Sequence, residues 1–434
     1  MDIYVVQPGD TIESIAERYG TSVNKLIQEN GIDNPYSLVP GQTIIITYPS
    51  QTHIVSEGDT LARIADYYGV TLLQLLRNNS FLSDRSYIFP GESLVISYNT
   101  SEKLITNGYT YHFINQNTLR KTLPYLTYLS VFNYRISDAG EIITYGDDSN
   151  LIQSAKDYGV VPLLMLSFLS PQGEPNVEVV YNILLSQDFH DRLINNILNL
   201  IRATGYHGVN IMISGINTIN QELYIRLLTE VSDYLSTEGL LLFLTINPNV
   251  RYENEEVIFE QLDYAAISQI ADGITFFQYV WGTNPGPPAP VSSINFIQAF
   301  IDYITTLAPP EKISVGKPLI GYDWQLPYIP ETSSANSLTI NSAIDLANNT
   351  GTTIQFDDIS QTPYFYYQSF YGEWPEDHIV WFIDARSINV LDMLISRYEL
   401  SGSGIWNIMV YYQQMWTLIN SQFEIIKLLP EDLE

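Results

Sequence analysis

The stretch YHGVNIMISGIN, residues 206–217, reads as a β-strand running into a loop. Side chains two apart on a strand share a face, so Asn210, Met212 and Ser214 point the same way. None of the three can donate or take a proton near neutral pH. Ser214 makes a weak nucleophile: MISGI lacks the Gly-x-Ser-x-Gly turn, and His207, the nearest histidine in sequence, falls on the opposite strand face. The 5 histidines are scattered without close metal-ligand spacing, so no metal site is expected. Cysteine is absent, which excludes disulfides and thiolate sites. Asp323, in GYDW, sits where a seventh strand ends; it reads first as a structural hydrogen-bonding group and second as a displaced acid. Asp384 and Arg386, in DARS, read as a buried structural pair.

The elements that must position these residues are short apolar runs alternating with helical patterns. The runs fall at 106–114, 127–135, 160–168, 208–214, 240–248, 272–282, 312–324 and 402–408. Eight strands alternating with helices predict an α/β fold of the (β/α)8 barrel type, with chemistry gathered at the C-terminal strand ends. A doubly wound open sheet is the alternative, but no glycine-rich dinucleotide loop follows any strand, and no cofactor is expected.

The first hundred residues differ. VQPGDTIESIAERYG (6–20) returns as VSEGDTLARIADYYG (55–69), and VPGQTIIIT (39–47) as FPGESLVIS (89–97). Each unit reads strand, helix, helix, strand: Gly9 and Gly58 turn the chain, Asp10-Thr11 and Asp59-Thr60 cap a helix, and Pro40-Gly41 and Pro90-Gly91 lead into the closing strand. The expected organisation is therefore residues 1–49, residues 50–98, and a barrel over 101–434.

The net charge of −29 argues against nucleic acid and against an anionic membrane surface. No run approaches the length of a membrane span, and MDIYVVQPGD has no basic region followed by an apolar run, so synthesis in the cytoplasm without a secretory signal is expected. The 32 tyrosines and 6 tryptophans supply rings of the kind that pack on pyranose faces. A polymer partner would be gripped through neutral hydroxyls and acetamides.

At nearly every signature position the repeat resembles the LysM module, a βααβ fold that binds N-acetylglucosamine-containing glycans. The resemblance implies a sugar groove at Gly9, Asp10, Thr11, Asn30, Gly31 and Ile32 in the first copy, and at Gly58, Asp59, Thr60, Asn79, Ser80 and Phe81 in the second. Two weak sites on one chain gain avidity on a repetitive polymer. The remainder, through YLSVFNYRISDAGEI, QYVWGTNPGPPAPV, KISVGKPLIGYDWQLPY, HIVWFIDARSI and GSGIWNIMVYYQQMW, resembles glycoside hydrolase family 18, in the LysM-bearing branch related to spore cortex-lytic and germination N-acetylglucosaminidases. That likeness implies a small α+β insertion at about residues 325–378.

Members of that family carry Asp-Gly-x-Asp-x-Asp-x-Glu on the fourth strand. The Glu protonates the glycosidic oxygen, and the preceding Asp orients the substrate acetamide that attacks the anomeric carbon. Laid on this pattern, His207 replaces the first Asp, Gly208 and Asn210 fit the branch, Met212 replaces the orienting Asp, and Ser214 replaces the acid. The ordinary reaction is therefore expected to be lost. The resemblance also implies a sugar-holding surface at Tyr279, Trp281, Trp324 and Trp406, with Trp406 flooring the central subsite. The leading expectation is a glycan-binding protein on peptidoglycan or a chitin-like polymer, associated with a spore coat or cortex and with spore coat proteins as further partners. An active N-acetylglucosaminidase using Asp323 and a structural coat protein are the alternatives.

Overall fold

The computed structural model describes all residues except 84, 86, 138–139, 168–176, 214, 249, 254–255, 278–284, 372–373 and 430–434. The repeat forms two βααβ modules. The first runs through strand Asp2–Val5, helices Ile12–Tyr19 and Val23–Asn30, and strand Thr43–Ile46; the second through Gln51–Ile54, Leu61–Tyr68, Leu72–Asn78 and Ser93–Ser97. In each, the outer strands pair antiparallel. Thr11 Oγ1 accepts from the Ser14 N–H at 3.1 Å while Ser14 Oγ accepts from the Thr11 N–H at 3.0 Å, a reciprocal cap that starts the first helix. Ile12, Ile15 and Ala16 bury its inner face. The matching turns before these helices place Gly9 and Gly58 at the same φ of +90°, which favours glycine.

Eight parallel strands close a barrel: β1 Glu102–Tyr111, β2 Tyr128–Ile136, β3 Val161–Ser167, β4 Gly208–Ile213, β5 Leu241–Ile246, β6 Gly273–Phe276, β7 Ile313–Pro318 and β8 Gly402–Trp406. Each pairs with its neighbour in chain order, and β8 pairs with β1 to complete the ring. The strands are buried on both faces, as a parallel sheet wrapped in helices requires. Period two divides β4: Val209, Ile211 and Ile213 pack with the core beneath the helices, while Asn210 and Met212 face the barrel axis.

The predicted seventh run divides in two. Its first part is β7, but Gly321–Leu326 begins an antiparallel five-stranded sheet that also contains Thr362–Tyr371 and Trp374–Trp381. The insertion therefore starts at Gly321 and not near 325, and Asp323 and Trp324 belong to it instead of ending a barrel strand.

Both modules dock on the barrel helix Gln413–Gln422. Thr417 Oγ1 donates to Glu29 O at 2.6 Å, Gln414 Nε2 to Thr43 O at 2.6 Å, and Ser80 Oγ to Gln413 Oε1 at 2.8 Å. Arg77 Nε donates to Asn420 Oδ1 at 2.8 Å. Gln413, Gln414, Thr417 and Asn420 recur at offsets of one, four and seven, a polar stripe along one face of the helix.

Candidate functional site

Asn210 is fully buried in the barrel axis, and its amide is matched by neighbours. Its Nδ2 donates to Ser130 Oγ at 2.9 Å and Tyr109 OH at 3.2 Å, and Thr245 Oγ1 donates to its Oδ1 at 2.9 Å. Ser130 in turn donates to Asn107 Oδ1 at 2.9 Å. An amide both donates and accepts, so it suits this hydroxyl ring without placing a charge in the interior.

One layer nearer the mouth, Met212 is 4% exposed and shares an apolar cluster with Tyr109, Met165, Phe277 and Trp406. A thioether there packs well but carries no charge with which to steady a developing cation. Ser214 lies outside the described residues. His207 lies at the entry to β4, where its backbone N–H donates to Pro162 O at 3.0 Å. Burial, and then the charge of Lys156, hold its imidazole below the usual histidine range.

Trp406 ends β8 and is ringed by aromatic edges: Phe132 at 5.2 Å and Tyr109 and Tyr111 at 6.0 Å between ring centroids. Tyr111 stacks on Phe113 at 5.4 Å and 19°, and Phe113 is 65% exposed. Tyr109, Tyr111 and Phe113 alternate through the end of β1 and the loop after it, so an aromatic shelf rises from the buried Trp406 to the surface. The sequence reading missed this shelf, although the alternation in YTYHF was the signal that could have found it. Tyr279 and Trp281 lie outside the described residues.

Asp323 and Trp324 project to opposite faces of the insertion sheet. Asp323 Oδ2 accepts from Tyr367 OH at 2.7 Å, and its Oδ1 lies 3.0 Å from His378 Nδ1. Trp324 is 1% exposed and donates its indole N–H to Gly286 O at 2.9 Å, so its ring packs in the core. Asp384 and Arg386 do form a pair, with Nη2 2.6 Å from Oδ2, and Asp384 also caps the helix Ala385–Arg397. Among the described residues, no group of three or more His, Asp or Glu side chains is placed to hold a metal ion.

In the modules, Gly9, Thr11, Gly58 and Thr60 are exposed, while Asp10 and Asp59 accept the backbone N–H of Gln7 and Ser56 at 2.8 and 2.7 Å and lock the turns. Asn30 and Asn79 are buried staples. Each donates to a carbonyl of its own helix and one of the closing strand, and each accepts an N–H from that strand. Ile32 packs against the first module's core and Phe81 against the second's. A Cβ on Gly31 would lie 2.7 Å from Gln413 Cβ, and Ser80 is bonded to Gln413. The loops after the second helices thus face the barrel.

The LysM domain profile matches residues 4–47 and 53–97, and the profile of glycosyl hydrolases family 18 matches residues 172–409. A cortical fragment-lytic enzyme of Bacillus subtilis (strain 168) is 33% identical, with 98% of this chain and 99% of that protein covered. Its namesake in Bacillus cereus is 29% identical over 98% and 99%. The crystal structure of the spore cortex-lytic enzyme SleL of Bacillus megaterium QM B1551 superposes with a TM-score of 0.80 at 30% identity, covering 98% of this chain and 99% of that one.

Proposed function

We propose, from the premise that the chain belongs to glycosyl hydrolases family 18 and carries two LysM domains, that it holds spore peptidoglycan while its barrel has lost the family's hydrolytic step. The observation that carries this reading is Met212, buried in an apolar cluster at the position that the family pattern gives to the acetamide-orienting carboxylate. With Ser214 in the place of the acid, neither the proton for the leaving oxygen nor the negative charge beside the oxazolinium is supplied. General acid catalysis alone contributes about 10²–10⁴-fold, or roughly 3–5 kcal/mol of the barrier.

Glycan retention has separate support. Tyr111 and Phe113 offer ring surface for the apolar faces of sugars, with the buried Trp406 packed behind them. The LysM domains add affinity by holding the same polymer at a second point. The names of the relatives point to the spore cortex as the place of action.

Those same names favour a second reading, an active N-acetylglucosaminidase with a displaced acid. Asp323 is the carboxylate for that role, and it is already engaged by Tyr367 and His378. Incubation with insoluble peptidoglycan separates the readings. Retention without new reducing ends supports the binding protein, release of reducing ends supports the enzyme, and absence of retention supports a purely structural coat protein.

A further inference from the structure

The two modules and the barrel flank an open cavity of about 540 Å³ at their three-way junction. The first module contributes Gln28 and Glu29 from its second helix, the second contributes Ser80 and Phe81, and the barrel contributes Gln413 and Thr417. The volume lies within the range of small-ligand sites, roughly 300–1,000 Å³. No residue of the exposed Gly9–Thr11 or Gly58–Thr60 turns lines it. A second cavity of about 390 Å³ adjoins it across Arg77, Asn78, Tyr98 and Asn420, which line both.

The lining is amide, hydroxyl and ring, with both signs of charge present. Lys25 Nζ lies 3.7 Å from Glu29 Oε1, which also accepts from Thr47 Oγ1 at 2.7 Å. Among the described residues Glu29 Oε2 has no hydrogen-bond partner, and burial pushes the carboxyl above the usual range. Glu29 Oε2 therefore keeps acceptor capacity for a ligand hydroxyl or amide N–H. Phe81 presents a ring braced by the Arg85 guanidinium, 5.5 Å from its centroid. A polyanion is disfavoured by the chain's net charge of −29.

We propose that this junction is a binding site for a chain of N-acetylated hexosamines, completed only when both modules are docked on the Gln413–Gln422 helix. It rests on the glycan-binding reading above and adds to it a location outside the exposed turns of either module. The linked second cavity gives the chain room to continue past Asn78 and Tyr98.

The test is calorimetric titration of the full chain with the hexamer of N-acetylglucosamine. Gln28→Arg and Asn24→Arg place a long non-aromatic side chain in the cavity from exposed helix positions; Glu17→Arg, exposed and outside the lining, is the control. The expected result is at least tenfold weaker binding in the two cavity variants, with wild-type affinity in the control and equal unfolding midpoints in all. Wild-type affinity in the cavity variants overturns this site and leaves the glycan-binding reading standing. Failure of the unmodified protein to bind either the hexamer or insoluble peptidoglycan overturns both. Hydrogen exchange on the unmodified protein is independent of variant folding. Protection by the hexamer at residues 22–29 and 413–420 is expected, and protection confined to 9–11, 30–32, 58–60 and 79–81 contradicts the proposal.

Discussion

His378 Nδ1 lies 3.0 Å from Asp323 Oδ1, and its ring stacks on Tyr367, whose hydroxyl donates to the other oxygen of the same carboxylate. His378 Nε2 lies 3.1 Å from Ser369 Oγ, which extends the chain across the insertion sheet. Both Asp323 oxygens are thus engaged by fixed neighbours, and a proton delivered to a glycosidic oxygen would have to come from a group already holding the sheet together. Asp323→Asn is expected to leave reducing-end release at background and to lower stability by roughly 1–3 kcal/mol, since a buried hydrogen-bonded group loses its match. Denaturant unfolding measures the second effect.

Met212→Asp together with Ser214→Glu puts both acids at the positions that the family pattern gives them. Hydrolysis of peptidoglycan fragments is expected to rise at least about 100-fold above the unmodified protein. Met212→Asp alone is expected to lower the unfolding midpoint without activity, because it puts a carboxylate among Met165, Phe277 and Trp406 with no acid beside it.

The two modules and the order of the barrel strands were legible because periodicity and turn chemistry are local: Gly-Asp-Thr at 9–11 and 58–60, apolar runs between helical stripes. The division of KISVGKPLIGYDW was not, since Gly321–Leu326 is as β-rich as β7 and only its antiparallel partners reveal its sheet. Module docking was also hidden. Gln413, Gln414, Thr417 and Asn420 give no motif, and their significance appears once the stripe meets Glu29, Thr43, Ser80 and Arg77, hundreds of residues away. His207, Asn210 and Met212 were legible residue by residue, but the apolar cluster enclosing Met212 needs five separate strands and loops to form.

Lys317 and Asp392 form an ion pair with both side chains fully buried, linking β7 to the helix Ala385–Arg397. Burial raises the Asp392 carboxyl, and the Lys317 charge opposes that rise. Lys317→Met is expected to cost about 3–5 kcal/mol, because it strands a charge in the core. Lys317→Met combined with Asp392→Leu should recover most of that loss in the same urea titration.

His207 supplies a pH signature. Its folded-state pKa lies below the ordinary value of 6.5, so the unfolded chain binds the proton more readily. The stability from its neutral ring is present above that ordinary value and is lost as pH falls through the folded value. The unfolding midpoint of His207→Gln should therefore fall less steeply on acidification below neutrality than that of the unmodified protein, as followed by circular dichroism across the range.

The most direct measurement is the appearance of reducing ends when the unmodified protein is incubated with peptidoglycan to which it visibly binds. Retention on the polymer with reducing ends at the level of buffer alone is the predicted result. Sustained release of reducing ends that disappears in Asp323→Asn would contradict it.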